Sequence, residues 1–286
     1  MPELPEVTAL AAFLDRRAVG HRVKRVDVTS IQVLKTFDPP ATALTGRELI
    51  SVDRHGKFLD LTFNDLHLVI HLAKAGWLRW REELPTTPLR PGRHPIALRL
   101  TFEDGAGFDL SEAGTAKRMA AHIVEDPMDV PGVASLGIEP LSSEFTLEAF
   151  TGLLTGTRQQ IKGLLRQQKT IAGIGNAYSD EVLHAARLSP FKIAATMDDA
   201  ETSRLYEAIR ETLRTAVEAS ADLAAGHVKA HKKELLRVHG RTGLPCPVCG
   251  DTIAQVSFAD SSLQYCPTCQ TGGKPLADRR MSRLLK

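Results

Sequence analysis

The chain has 286 residues, 43% hydrophobic and 24% charged, which is enough for two domains of ordinary size and too apolar for a disordered chain. No apolar run approaches the roughly 20 residues that span a bilayer, and Glu3 and Glu6 stand where a secretory signal would place basic and then apolar residues; a soluble cytoplasmic protein with no membrane partner is expected. The net charge of +2 hides an asymmetry, because residues 226–286 hold 10 Lys and Arg against 4 Asp and Glu, a surplus that suits contact with a polyanion and equally suits a solvated tail.

The chain opens Met1-Pro2-Glu3-Leu4-Pro5-Glu6-Val7, and Val7, Leu10, Ala11, Leu14 and Ala18 recur at helical spacing, with Pro5 where a first turn tolerates it. Read from physics alone, this is a helix start, with acids favoured by the helix dipole. A sharper reading is open beside it. Removal of Met1 would expose a secondary amine at Pro2 with a pKa near 8, nucleophilic at neutral pH and able to condense with C1′ of a deoxyribose, with Glu3 handling protons.

The period then shortens. Phe58 to Phe63, Leu66 to Leu72 and Ile96 to Phe102 are short apolar segments bounded by Gly, Asn-Asp or Asp-Gly, the pattern of strands and hairpins in a β-sandwich or barrel. Turn residues crowd from Pro127 to Leu141, which places a domain boundary there. Beyond it, Leu147 to Leu154, Arg158 to Gln168, Asn176 to Ala186 and Asp198 to Leu223 read as helices. Thr170 to Tyr178 is a glycine-rich turn opening one of them, either a phosphate cradle at a helix N-terminus or a tight connection with no ligand. Arg158, Lys162, Arg166 and Lys169 form a basic face just upstream.

Near the C-terminus come Cys246-x2-Cys249, sixteen residues, and Cys266-x2-Cys269. Two such knuckles on a hairpin set four thiolates in a tetrahedron, the geometry of one closed structural zinc site; a redox pair or disulfides fit an intracellular chain less well. Four protein ligands leave no open position for water, so this zinc organises a hairpin. Lys229, Lys232, Lys233, Arg237 and Arg241 surround it in sequence.

Taken together, these segments resemble the formamidopyrimidine-DNA glycosylase and endonuclease VIII family from end to end. Pro-Glu-Leu-Pro-Glu-Val is similar to its catalytic N-terminus, Gly56-Lys57 to its strand-borne lysine, and Leu136 to Leu141 to its entry into the C-terminal domain. Ile161-Lys162 through Glu181 is similar to its helix–two-turns–helix element, and Gly240-Arg241 with the knuckles to its zinc finger. The resemblance implies an α+β chain: an N-terminal β-sandwich with an N-terminal helix over 1–132, a helical domain over 133–240, and a zinc finger with tail over 241–286. It implies a monomer that flips a damaged nucleotide out of duplex DNA, since an amine cannot reach C1′ while the base is stacked. Pro2 would then be the nucleophile, Glu3 the general acid and base, Lys57 a phosphate contact and acid of β-elimination, and Glu6 a supporting group. Lys74, Arg158, Lys162, Gly175, Asn176 and Arg241 would contact DNA.

Four departures are legible. Lys74 stands where members of the formamidopyrimidine type carry a methionine wedge, and Glu112 to Lys117 replaces the segment with their other two wedge residues. Ser261 stands at the zinc-finger arginine, and Ala216 to Val228 lacks the threonine-rich loop over an oxidised purine. Three readings follow: a bifunctional glycosylase and abasic-site lyase of altered lesion preference, a lyase with base removal weakened, and a lesion-binding protein without catalysis.

Overall fold

A computed structural model describes residues 1–90, 95–113, 117–259 and 261–277, and the chain divides into two compact units, Met1–Leu136 with Val217–His231, and Gly137–Ala216 with the chain from Lys232 on. The first break lies four residues beyond the expected one. The larger difference is that 217–231 counts with the N-terminal unit: Ala225 and Val228 bury in its core and Leu223 packs against it. The knuckles, expected as a module of their own, share a compact unit with the helices.

The first unit starts with α1 (Leu4–Ala18) and continues through β1 (Val23–Val28), β2 (Leu49–His55), β3 (Phe58–Phe63), β4 (Leu66–His71), β5 (Gly76–Arg81), β6 (Ile96–Phe102), β7 (Gly107–Glu112) and β8 (Ala120–Val124), followed by the short α2 (Pro131–Ala134). The strands form two antiparallel four-stranded sheets, ordered β1-β6-β7-β5 and β2-β3-β4-β8. Strand alternation sets the core. Leu59, Leu61 and Phe63 of β3 bury with Leu98, Leu100, Phe102 and Phe108, while α1 contributes Leu10 and Leu14. The other face of β3 carries Phe58, Asp60 and Thr62, and Val69, Val124, Val130 and Val133 pack there around Phe58.

In the second unit α3 (Leu147–Leu154) is capped by Thr146, whose side chain accepts from Ala149 N. Then come α4 (Ile161–Arg166), α5 (Asn176–Ala185) and α6 (Asp199–Ser220), the last opened by reciprocal bonds between Asp198 and Glu201 and counting with the first unit from Val217 on. Helix α7 (Val228–Leu235) was not evident from the pattern. Helix α4 starts three residues later than expected because Gln160 pairs with Ile193 in an antiparallel bridge and Gln159 O accepts from Ala194 N. The chain closes with the hairpin β9 (Ala254–Ser257) and β10 (Ser262–Tyr265) and the short α8 (Pro267–Thr271). Among the described residues no helix is long and apolar enough to cross a membrane.

Candidate functional site

Two clusters, one in each unit, gather most of the residues singled out by sequence. In the first unit the start of α1 is a reciprocal capping box: the Glu3 N–H donates to Glu6 Oε2 at 2.8 Å, and the Glu3 side chain accepts from the Glu6 backbone. Both glutamates are 2% exposed. Each carboxylate is therefore held by the peptide groups of the first turn, at the positive end of the helix. Pro2 is buried and Met1 is 44% exposed, and loss of Met1 would turn the proline nitrogen from an amide into a secondary amine.

Lys57 lies in the two-residue turn between β2 and β3, where Gly56 takes φ 54, a left-handed backbone that suits glycine. Its side chain is buried. Arg54 joins this turn to α1, its Nε donating to Thr8 Oγ1 at 2.9 Å and its Nη1 to Gly56 O at 2.8 Å. That bridge ties the turn that carries Lys57 to Thr8 of α1, the helix capped by Glu3. His71, opposite Phe58 in the β3–β4 register and against its ring at 4.7 Å, is pushed down to about 4 by burial, by the Lys57 charge and by His122. It is neutral at physiological pH and adds no second cation beside the lysine.

Arg54 and His71 carry no motif signal of their own. Strand register alone pairs His71 with the residue after Lys57, and register could have flagged it. Lys74 is exposed on the turn between β4 and β5, after Ala73 at φ 51. Of the segment Glu112 to Lys117, residues 114–116 lie outside the described residues; Glu112 is buried and accepts from the backbone N–H of Arg118 and Met119.

In the second unit, Gly173 adopts φ 84 and Gly175 caps α5, so the glycine-rich turn delivers the chain into a helix whose N-terminus starts at Asn176. The Asn176 Nδ2 donates to Ser262 O of β10 at 2.8 Å, tying the helix start to the zinc hairpin. Arg158 is exposed ahead of α4. Arg241 is half-buried after Gly240, and its Nε has no hydrogen-bond partner among the described residues.

Lys162 does not fit its expected place on a basic DNA face. It is 4% exposed, and its Nζ donates to Asp180 Oδ1 at 2.6 Å and Ser179 Oγ at 2.7 Å. Helical periodicity puts it on one face with Arg158 and Arg166, but Arg158 lies outside α4, Arg166 is exposed, and Lys162 is buried, where it neutralises the Asp180 carboxylate. Asp180 also pairs with His239 Nδ1 at 2.7 Å and accepts from Gln264 N at 3.2 Å. Its neighbour Glu181 accepts from the N–H groups of Arg237, Val238 and His239, and burial pushes its carboxyl up. These two acids organise the junction of α5 with the hairpin, and sequence reading gave them no role.

The four cysteines converge, with every sulfur within 4.8 Å of the others. Separations of 3.9 Å for Cys246–Cys269 and 3.3 Å for Cys249–Cys266 bracket the roughly 3.8 Å edge of a tetrahedron with Zn–S of about 2.3 Å. The donor set and its size fit one zinc ion held by Cys246, Cys249, Cys266 and Cys269, a structural site that supplies order to the hairpin and no open coordination position.

The two antiparallel sheets, the helix–two-turns–helix element and the four-cysteine knuckles define a two-unit α+β chain with a structural zinc finger, and comparison with known proteins gives its family. Three family models match: the formamidopyrimidine-DNA glycosylase N-terminal domain over residues 1–118, its H2TH domain over 136–225, and the zinc finger found in FPG and IleRS over 243–272. The formamidopyrimidine-DNA glycosylase of Symbiobacterium thermophilum is 36% identical over 98% of this chain and 93% of its own. An uncharacterized formamidopyrimidine-DNA glycosylase-like protein of Mycobacterium tuberculosis is 54% identical over 54% of this chain and 98% of its own. Among solved structures, Lactococcus lactis Fpg in complex with DNA containing an abasic site aligns with TM-score 0.82 at 26% identity, covering 94% of this chain and 99% of that one. The chain belongs to the formamidopyrimidine-DNA glycosylase family.

Proposed function

We propose that the chain is a base-excision DNA glycosylase and abasic-site lyase that acts, as a cytoplasmic monomer, on damaged duplex DNA through a Schiff base on Pro2. The observation that supports this reading most is the capping box of α1, which holds the Glu3 carboxylate in the helical turn that follows residue 2, with Met1 exposed. Once Met1 is removed, the proline nitrogen attacks C1′ of a flipped nucleotide, the glycosidic bond breaks, and the base leaves with the proton that the amine gives up. The C1′–O4′ bond then opens, its electrons and a proton from Glu3 going to O4′, and the resulting cationic iminium acidifies C2′–H. A base then takes that proton, the 3′ phosphate leaves with its bonding electrons, and water releases the sugar from the proline. Glu3 is suited to the proton transfers at the sugar, Lys57 to the phosphate and the leaving oxygen, and Glu6 to holding Glu3.

In the second unit, Asn176, the N-terminus of α5 at Gly175, Arg158 and Arg241 suit phosphate contacts, and Lys74 of the first unit suits one as well. Lys162 supports them by holding Asp180. The solved neighbours include a MutM complex with DNA containing carbocyclic 8-oxo-G and an Fpg complex with an abasic site. With Lys74 in place of an apolar wedge and Ser261 in place of a phosphate-binding arginine, we expect a lesion preference other than 8-oxoguanine opposite cytosine.

A second reading, a lesion-binding protein without catalysis, draws on the burial of Pro2 and on Ser261. Borohydride trapping separates the two. Duplexes carrying an abasic site, 8-oxoguanine, formamidopyrimidine or an oxidised pyrimidine are incubated with the Met1-free chain and reductant. An adduct on a base lesion supports the bifunctional enzyme, an adduct on the abasic duplex alone selects the lyase, and binding without any adduct selects the non-catalytic protein.

A further inference from the structure

One buried histidine remains outside the proposed chemistry. His184, in the last turn of α5, is 3% exposed, and its Nε2 lies 3.3 Å from Sγ of Cys246, itself 3% exposed. The four sulfurs already complete a tetrahedron, and His184 is outside the group of mutually close ligand atoms. A zinc-bound thiolate has no proton to give, so the nitrogen facing it must carry the hydrogen. The ring tautomer is thereby fixed as Nε2–H, with the sulfur as acceptor.

We propose that His184 is a positioning residue of the zinc centre, whose Nε2–H donates to the metal-bound Cys246 thiolate and so couples the metal to helix α5. The inference rests on the zinc assignment. Cys246 Sγ also accepts from Val248 N at 3.5 Å, so two donors draw charge from this one sulfur, whereas Cys249 is exposed. Outer donors of this kind fix a ligand and lower the charge it presents. The placement gives the contact reach beyond the metal. Helix α5 is pinned to the zinc module at both ends, by Asn176 to Ser262 O at its N-terminus and by His184 to Cys246 near its C-terminus. Loss of the metal would release the second pin and with it the setting of Asn176.

The test uses the full chain loaded with 113Cd and labelled with 15N-histidine. A cadmium resonance typical of four thiolates checks the metal assignment by itself. Given that resonance, a through-bond coupling between cadmium and the Hε2 of the His184 ring is the expected result. Absence of that coupling, or a direct one-bond coupling of cadmium to a His184 ring nitrogen, overturns the proposal. In the zinc form, His184→Phe should release metal to a chelator faster, with zinc affinity roughly 10- to 100-fold weaker. His184→Gln, which can present an amide N–H to the sulfur, should recover part of that loss. Equal zinc affinity in the wild type and a folded His184→Phe chain would also overturn it.

Discussion

Glu3 serves its helix before it serves any chemistry, because its carboxylate and that of Glu6 cap each other's peptide groups. A variant that keeps the cap and removes the charge therefore isolates the proton-transfer role. Glu3→Gln still offers an amide oxygen to the Glu6 N–H, so its melting temperature should match the wild type while single-turnover strand cleavage at an abasic site falls by roughly 10²- to 10⁴-fold. Unchanged cleavage would remove Glu3 from the site. His71 gives a second prediction. Its neutral form is favoured by burial and by the nearby Lys57 charge, with a pKa of about 4 in place of 6.5. Between these values the unfolded chain binds the extra proton, so stability rises with pH through that window and is lost as pH falls from 6.5 toward 4. Urea midpoints at pH 7 and pH 5 should show that His71→Phe is spared roughly 2 kcal/mol of the acid destabilisation suffered by the wild type. An identical pH dependence in the two chains would contradict the assigned environment.

The elements show where sequence reading succeeds and where it stops. Strand β3 runs from Phe58 to Phe63 and β6 from Ile96 to Phe102, as period-2 alternation and turn residues predict, and the two Cys-x2-Cys knuckles flank the β9–β10 hairpin. Local signals suffice there because each element's own residues decide it. Lys162 marks the limit: its burial goes with an ion pair to Asp180 on α5, eighteen residues away, a partner that the periodicity of its own helix does not reveal. Asp180, Glu181 and Arg54 were likewise unreadable, since each acquires its role from a partner on another element. Lys162→Met tests the correction. Leaving Asp180 buried without its ammonium should destabilise the chain by about 3–5 kcal/mol, seen as a lower melting temperature. A direct phosphate contact would instead leave the melting temperature unchanged and reduce the slope of log K against log salt by about 0.9.

At the scale of the whole molecule, the proposed chemistry falls to the first compact unit, with Pro2, Glu3 and Lys57, and most of the proposed phosphate contacts, Asn176, Arg158 and Arg241, fall with the zinc centre to the second, Lys74 being the first unit's own. Zinc removal should therefore separate them. Stripping the metal with a chelator should unfold the hairpin that carries Ser262 and weaken duplex binding at moderate salt by about ten-fold or more, read by fluorescence anisotropy, while the strand signals of the first unit persist. Undiminished affinity in the metal-free chain would place the binding surface elsewhere. The central claim concerns one atom, the nitrogen of residue 2. Peptide mass mapping of the borohydride-reduced adduct with abasic DNA tests it most directly: the account predicts a chain lacking Met1 with the sugar remnant on Pro2, and a remnant on Lys57 or any other lysine, or no adduct from a chain whose terminus is Pro2, would contradict it.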